Sequence, residues 1–422
     1  MGILISCQTN GGPRAEGPFL KLLEQRSGLI SFLGPDGNVR VINQAGGGNR
    51  ALTSDAGSKG DTTTAYAATA WSPDGKQVAF ARFTLSADTV TGAALFTAPS
   101  AGGAITQLFF SSELQPFYIN WSQDSRRVSV LSQVKGTEVL ELGVATAGKA
   151  GDYVALDRGA PYYWNWLADS GSILAHANAQ RGGNEGERLS LITLDPAPTK
   201  SDLPVETALF QAPDTSPDGK SIGYVMAAED GFTLLVRRLD DSTERTVATD
   251  KGVAYFSFAP DGKHVAYLAA LSTDPVPQGI LKIVSLGSDA LTTRVAETPV
   301  LAFFWAPDGK KLAYIVPDAT DALDPMFQKN GRQLDVKIVG CDAATGKTWD
   351  IAVFPVTRGT LSILPFFDQY QRSATIWSPD GRYVVFTALS AKGEPALYVS
   401  RADGTLKPRF LTDGDYAFWS GK

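Results

Sequence analysis

The chain has 422 residues, a formal net charge of -6, 43% hydrophobic residues and 19% charged ones. That composition can bury a core and excludes a disordered chain, and the acidic balance excludes a protein that holds nucleic acid by releasing counterions from phosphates. Cys7, Cys341, His176 and His264 are too few and too far apart for a disulfide framework or a Cys/His zinc site, and no cofactor is expected. After the first few residues no run of about 18 apolar residues occurs, so no membrane-spanning helix is expected.

In chain order, the N-terminus carries Leu4-Ile5-Ser6-Cys7, which resembles the lipobox of bacterial lipoproteins, with a small residue before the lipidated cysteine. The stretch departs from that pattern by lacking a basic and a full apolar segment upstream, a true start before Met1 being one explanation. Cys7 is thus a candidate lipidation site, the one expected route to a membrane, with a plain thiol as the other reading. Residues 1–27 read as lipobox-like start and tether, with a short helix expected over 19–25.

From Gly28 the pattern turns to short strands: 29–32, 38–42 and 50–53, joined by Gly34-Pro-Asp-Gly37 and Gly46-Gly-Gly48 turns. A box then recurs. Trp71-Ser-Pro-Asp-Gly75 and Trp377-Ser-Pro-Asp-Gly381 are complete, and Trp121, Trp166, Thr215, Phe258 and Trp305 open softer copies. Each box is followed by an apolar run such as Val78-Ala-Phe80 or Val384-Val-Phe386, then by two further strand patterns. The box aspartates fall at 74, 124, 169, 218, 261, 308 and 380, so the spacing is 43 to 50 residues except for a last gap of 72. Four short strands fill such a repeat. Residues 28–53 lack a box strand, and Tyr416-Ala-Phe-Trp419-Ser420 supply one with nothing after it. Joined, they make an eighth unit and remove the exposed edges of an open array. The expectation is an all-β protein: one β-propeller over 28–422, with eight four-stranded blades (seven as the alternative). The split blade, 28–53 with 415–422, closes the ring.

The repeated Trp-Ser-Pro-Asp-Gly-Lys box resembles the repeats of TolB-type propellers, a family of mostly periplasmic or secreted bacterial proteins; the propellers that gate prolyl-oligopeptidase-type peptidases share it. The resemblance covers 28–422 and implies an extracytoplasmic protein, in the periplasm or on the outer surface, with a protein or peptide partner. Members of the TolB type proper are usually six-bladed behind a small α/β domain, for which this repeat count leaves no room. A peptidase would need an α/β-hydrolase domain downstream, and none is read before Lys422.

Catalytic signatures are absent from the sequence: no Gly-x-Ser-x-Gly, His-Glu-x-x-His or Cys-x-x-Cys. The box aspartates read as turn residues, since Pro fixes φ, Gly takes positive φ and the carboxylate caps backbone N–H groups. Gly346-Lys347-Thr348 lies between strand patterns and reads as a hairpin turn rather than a phosphate loop. Asp318, Asp321 and Asp324 offer carboxylates to a hard cation but lack EF-hand spacing, so a solvated acidic loop is the preferred reading.

The functional signal lies where residues recur beside the box. Three positions before the Trp or its replacement stand Tyr118, Tyr163, Tyr255 and Tyr416; one position before it stand Asn120, Asn165, Asp214 and Ser257. Positions two apart share a strand face, so these rows are candidates to line a funnel for a polar ligand or peptide, with packing between blades, each Tyr hydroxyl tied to backbone, as the preferred reading. The insertion at 361–373 is rich in aromatics, and its Phe366, Phe367 and Tyr370 are candidates for a partner patch or a plug over the channel. The leading expectation is a binding or scaffold propeller recognising a protein, peptide or cell-envelope component; the alternative is a hydrolase or lyase working in the channel with Tyr and Asp/Asn groups.

Overall fold

The computed structural model describes residues 27–178, 186–208, 211–273, 276–287, 292–296, 298–318 and 334–422. Cys7, the helix expected over 19–25, Asp321 and Asp324 lie outside the described residues.

Eight antiparallel sheets are arranged as blades around an axis. In blade 2, for example, Leu114–Trp121, Arg127–Val134, Leu140–Thr146 and Tyr153–Gly159 pair in chain order. The second strand of a blade is covered on both faces, by its own neighbours in the ring. Its sequence therefore reads as a continuous apolar run, and Val78, Ala79 and Phe80 are all fully buried. Box strands of adjacent blades meet at the axis: Thr62–Trp71 contacts Leu114–Trp121, and Asp214–Thr215 contacts both Tyr162–Trp166 and Val253–Phe258.

The eighth blade is the split one. Arg50–Ala51, Val39–Ile42 and Ile30–Leu33 are completed by Asp415–Trp419, with Ile30 opposite Trp419 and Ser31 opposite Phe418. Eight blades closed by the C-terminal strand is the architecture expected from the repeats. Two blades depart from four strands. Blade 1 gains Gly57–Lys59 as a fifth strand on the extended Thr62–Trp71. Blade 7 keeps three strands, Tyr383–Leu389, Pro395–Arg401 and Arg409–Asp413, and its box strand shrinks to bridges at Trp377–Val384 and Thr375–Trp419.

The boxes are blade-to-blade fasteners. In the first, Ser72 Oγ donates to Asp74 Oδ1 at 2.7 Å, the same carboxylate oxygen accepts Lys76 N–H at 3.1 Å, and Gly75 turns at φ 70°. Identical Ser–Asp pairs form at Ser122–Asp124, Ser216–Asp218 and Ser378–Asp380. At three boxes the indole N–H of the Trp reaches the carbonyl just before the Trp of the preceding blade. Trp71 bonds Phe418 O at 3.1 Å, Trp121 bonds Ala70 O at 3.0 Å and Trp377 bonds Phe304 O at 3.0 Å. These three rings contribute apolar area and satisfy their one donor; the Trp166 indole instead bonds Ser129 Oγ at 2.9 Å, and those of Trp305 and Trp419 are buried without a partner in the protein.

Candidate functional site

The chain leaves blade 6 after Thr348–Pro355 and does not proceed directly to blade 7. Thr357 caps a helix, α1 (Arg358–Ile363), by accepting Thr360 N–H at 3.1 Å. A 3-10 turn over Leu364–Phe366, begun by Pro365, leads into a second short helix, α2 (Phe367–Tyr370). This insert lies inside the ring. Phe367 is fully buried, with ring centroids 5.6 Å from Tyr255, 5.0 Å from Phe303 and 6.4 Å from Phe304. The Tyr118 hydroxyl donates to Gln369 O at 2.6 Å, and Tyr118 meets Tyr370 edge-to-face at 4.8 Å. Tyr416 stands at the insert's flank, its hydroxyl 3.4 Å from Ser362 Oγ. The tyrosine row of the box strands is therefore the wall that receives the insert, and Phe366 remains at its outer surface, 46% exposed.

Two charged residues of the insert are carried inward. Burial pushes the Asp368 carboxyl up to about 7, against the opposing pull of Arg372 and of the Gln369 and Ala212 N–H groups. Tyr163 and Tyr255 face this carboxyl, and both phenols are raised, by burial first and then by Asp368. Arg372 Nε donates to Asp368 O at 3.2 Å, and Nη1 donates to Asp214 Oδ1. Asp214 is saturated. Its carboxylate also accepts Thr215 N–H at 2.6 Å, Phe258 N–H at 2.7 Å and Asn165 Nδ2 at 3.0 Å.

Beyond this layer the channel opens into a vestibule of about 540 Å³ at the box-turn end. Its collar is made by third box positions, Gln123, Ala168, Pro217, Pro260, Pro307 and Pro379. Gln371 and Arg372 of the insert reach it, and the polar row supplies Asn165, Asp214 and Ser257. Four donors of the lining residues, Arg372 Nη2, Gln371 Nε2, Ser257 Oγ and Trp305 Nε1, are shielded from solvent and have no hydrogen-bond partner in the protein. A buried donor left so is costly, and such groups are few in folded proteins. The rows seen in the sequence are thus separated along the axis: tyrosines around the insert, and three of the four polar positions at the vestibule. Asn120 is buried in blade 2, where its carbonyl accepts Ser129 Oγ at 2.9 Å.

Other residues weighed from the sequence are placed elsewhere. His176 is buried, bonds Gln211 O through Nδ1 at 2.7 Å, and is held below the usual histidine range by burial. His264 Nδ1 lies 3.5 Å from Asp261 Oδ2 of its own box. Cys341 is fully buried, its thiol pushed up to about 12 by burial, which makes it unreactive. Gly346 turns the hairpin between Asp335–Asp342 and Thr348–Pro355 at φ 69°. Asp318 donates its N–H to Asp335 O at 3.0 Å, and among the described residues no three His, Cys, Asp or Glu gather as a metal site. Arg372, Gln371 and Asp368 were missed by sequence reasoning. The available signal was a lone acid and a lone base four apart in an otherwise apolar, aromatic insertion.

Compared by sequence, the chain matches no family model and no characterised protein. Compared by fold, it is similar to the dihydro-heme d1 dehydrogenase NirN, with a TM-score of 0.54 and 12% identity over 94% of this chain and 75% of that one. TolB from Acinetobacter baumannii is similar over 85% of this chain and 81% of its own, with a TM-score of 0.40 and 16% identity. An oligogalacturonate lyase in complex with manganese covers 91% and 84%, with a TM-score of 0.46 and 12% identity. Identities this low speak for the propeller fold alone, since one scaffold carries many chemistries. Among the described residues no helix is long and apolar enough to cross a membrane.

Proposed function

We propose that this protein is an extracytoplasmic binding propeller that recognises a protein, peptide or cell-envelope component through its box-turn face, with the axial vestibule as the receiving site. One observation carries the reading. The insert fills the channel at the tyrosine end and leaves a concavity of about 540 Å³ at the other, with an apolar collar and polar groups beneath it. Such a cavity suits the end of a ligand, with the collar contacting its body and a few polar groups fixing its orientation. The likeness of the boxes to TolB-type repeats and the Leu4–Cys7 stretch support the extracytoplasmic location, with Cys7 as the proposed anchor point. The alternative of a hydrolase or lyase in the channel would draw its chemistry from Tyr and Asp/Asn groups; the tyrosines pack beneath the insert and away from the mouth, and Asp214 at the vestibule is already engaged by Arg372, Asn165 and the N–H groups of Thr215 and Phe258.

A photo-crosslinking residue at Gln123, on the collar, and another at Phe117, 39% exposed beside the opposite channel end, separate the two faces. Incubation with a cell-envelope fraction is expected to yield a defined adduct from position 123 and none from 117. Equal labelling from both positions, or labelling from 117 alone, would refute the assignment of the binding face.

A further inference from the structure

The channel end opposite the vestibule holds a second recess, of about 160 Å³, between the insert and the inner strands of blades 8, 1 and 2. Its walls are Phe83, Phe117, Tyr118, Tyr370, Tyr416 and Phe418, and among the described residues no charged side chain lines it. Two of its lining residues, Ala68 and Tyr416, have left-handed backbone, at φ 54° and 55°. The other described non-glycine residues of that kind, Ala87, Asp88, Ser125, Ser170 and Ser242, lie between strands, whereas these two lie inside them. Pairing slips at both, between Ala67 and Ala70 and between Asp415 and Phe418, so two contacting inner strands bulge at one place. Strained bulges of this kind re-aim side chains and gather at ligand sites.

Two phenol groups of the recess are under-used. The Tyr370 hydroxyl lies 3.5 Å from Phe117 O and the Tyr416 hydroxyl 3.4 Å from Ser362 Oγ, both longer than an ordinary O–H···O bond of about 2.5–3.0 Å. Both contacts face solvent, so an entering molecule can reach these hydroxyls. Ser362 Oγ is occupied, since it donates to Gly359 O at 2.8 Å. Burial first, and then Tyr416, push the Tyr370 phenol up to about 12, so it keeps its proton at neutral pH and can donate.

From this aromatic, uncharged recess with two open hydroxyls, we infer that the protein has a second ligand site, which takes a free, neutral one-ring phenol, its ring between the aromatic walls and its hydroxyl met by Tyr370 and Tyr416. The volume fits, since an apolar cavity of about 150 Å³ admits one benzene ring. Aromatic walls receive such a ring by its edge and by offset faces. A phenol hydroxyl both donates and accepts, as do those of Tyr370 and Tyr416, so the three can satisfy one another. A carboxylate or an ammonium would give up its hydration with no opposite charge to replace it. A sugar ring brings several hydroxyls for which the recess has too few partners. A tyrosine side chain of a partner would bring its backbone along, beyond the space that one ring fills. The site is separate from the vestibule, since the insert lies between the two.

The test titrates the full chain calorimetrically at neutral pH with p-cresol, toluene, p-toluate, tetramethylammonium and N-acetyltyrosinamide. The expected order is p-cresol about fivefold tighter than toluene, the increment of one net hydrogen bond, and at least about tenfold tighter than either ion and than N-acetyltyrosinamide. The double variant Tyr370→Phe, Tyr416→Phe deletes no hydrogen bond of ordinary length. It is expected to keep its melting temperature, to bind toluene as the parent does and to lose the preference for the phenol, each single variant losing part of it. Binding of p-cresol no tighter than toluene, tighter binding of either ion, no binding of any probe, or a preference unchanged in the double variant overturns the inference. N-acetyltyrosinamide binding as tightly as p-cresol assigns the ring to a partner's side chain and overturns the free phenol as the ligand. The crosslinking at Gln123 is read separately: no adduct there removes the vestibule as the binding face and leaves this site standing, whereas absent phenol binding removes this site alone.

Discussion

Asp368 is a carboxyl enclosed by Tyr163, Tyr255 and Arg372, and burial raises it from the ordinary 3.8 to about 7. The consequence for stability has a definite sign. Between about pH 4 and pH 7 the unfolded chain has released this proton and the folded one has kept it, so this group makes stability fall as pH rises, by up to about 1.4 kcal/mol per unit; above pH 7 its contribution levels off. Carboxylates held low by their partners, such as Asp157 with burial opposed by Lys200 and Arg188, act in the opposite sense and below pH 4. Asp368→Asn removes a charge that the fold must otherwise desolvate. Its melting temperature is therefore expected to exceed that of the parent at pH 8 and to converge on it near pH 4, as read by thermal denaturation monitored by circular dichroism. A difference independent of pH would mean that the carboxyl is ionised throughout.

At the scale of the element, the box shows how one motif tolerates substitution. Its fifth position needs a left-handed backbone, met by Gly75 at φ 70° but by serine at Ser125 (φ 62°) and Ser170 (φ 58°). A non-glycine residue there costs about 1–2 kcal/mol. The serine hydroxyl offsets that cost by bonding across blades: Asp74 N–H donates to Ser125 Oγ at 3.1 Å, and Asp124 N–H to Ser170 Oγ at 3.0 Å. Ser125→Ala keeps the strain and loses the bond, so it is expected to destabilise by about 1 kcal/mol; Ser125→Gly loses the bond and the strain together and should be nearly neutral. Urea denaturation of the pair checks the order. The boxes, the spacing and the split blade were legible in the sequence because they repeat, and seven imperfect copies average out the failure of any one. The insert was visible only as an interruption of that rhythm. Nothing in 361–373 repeats, its helices have four to six residues, and their place is set by a shape that exists only once Tyr118, Tyr255 and Phe303 have closed around it. The shrunken inner strand of blade 7 follows from the same cause: the chain spends those residues in the channel before it reaches Trp377. The fifth strand of blade 1, Gly57–Lys59, is exposed and polar and leaves no apolar signal to read.

For the whole molecule, closure rests on a strand of five residues. Asp415–Trp419 pairs with Ile30–Leu33, and Trp419 is fully buried. Its Phe418 carbonyl accepts the Trp71 indole, and its Asp415 carboxylate accepts the Thr357 hydroxyl at 3.1 Å, so blade 8 joins both blade 1 and the base of the insert. Removing residues 415–422 exposes the edge of Ile30–Leu33 and unseats α1 together. The truncated chain is expected to lose its single cooperative transition and to associate through the open edge, as followed by calorimetry and light scattering. A truncated chain that melted as the parent does would show that the strand is dispensable to the ring.

The contacts at Ser27 and Gly28 bear on how the molecule can be presented to a partner. Ser27 Oγ bonds Asp380 Oδ2 at 2.8 Å, and Gly28 lies so close to Ser420, Pro379 and Lys422 that an added methyl would stand within 3.0 Å of each. Pro379, Ser420 and Gly421 belong to the vestibule rim. Ser27 and Gly28 thus lie beside the mouth itself. A surface, bead or fused domain attached directly at residue 27 would stand in front of the vestibule and shade it, whereas attachment through the exposed Glu113 and Lys135, beside the far end of blade 2, would leave the mouth facing outward.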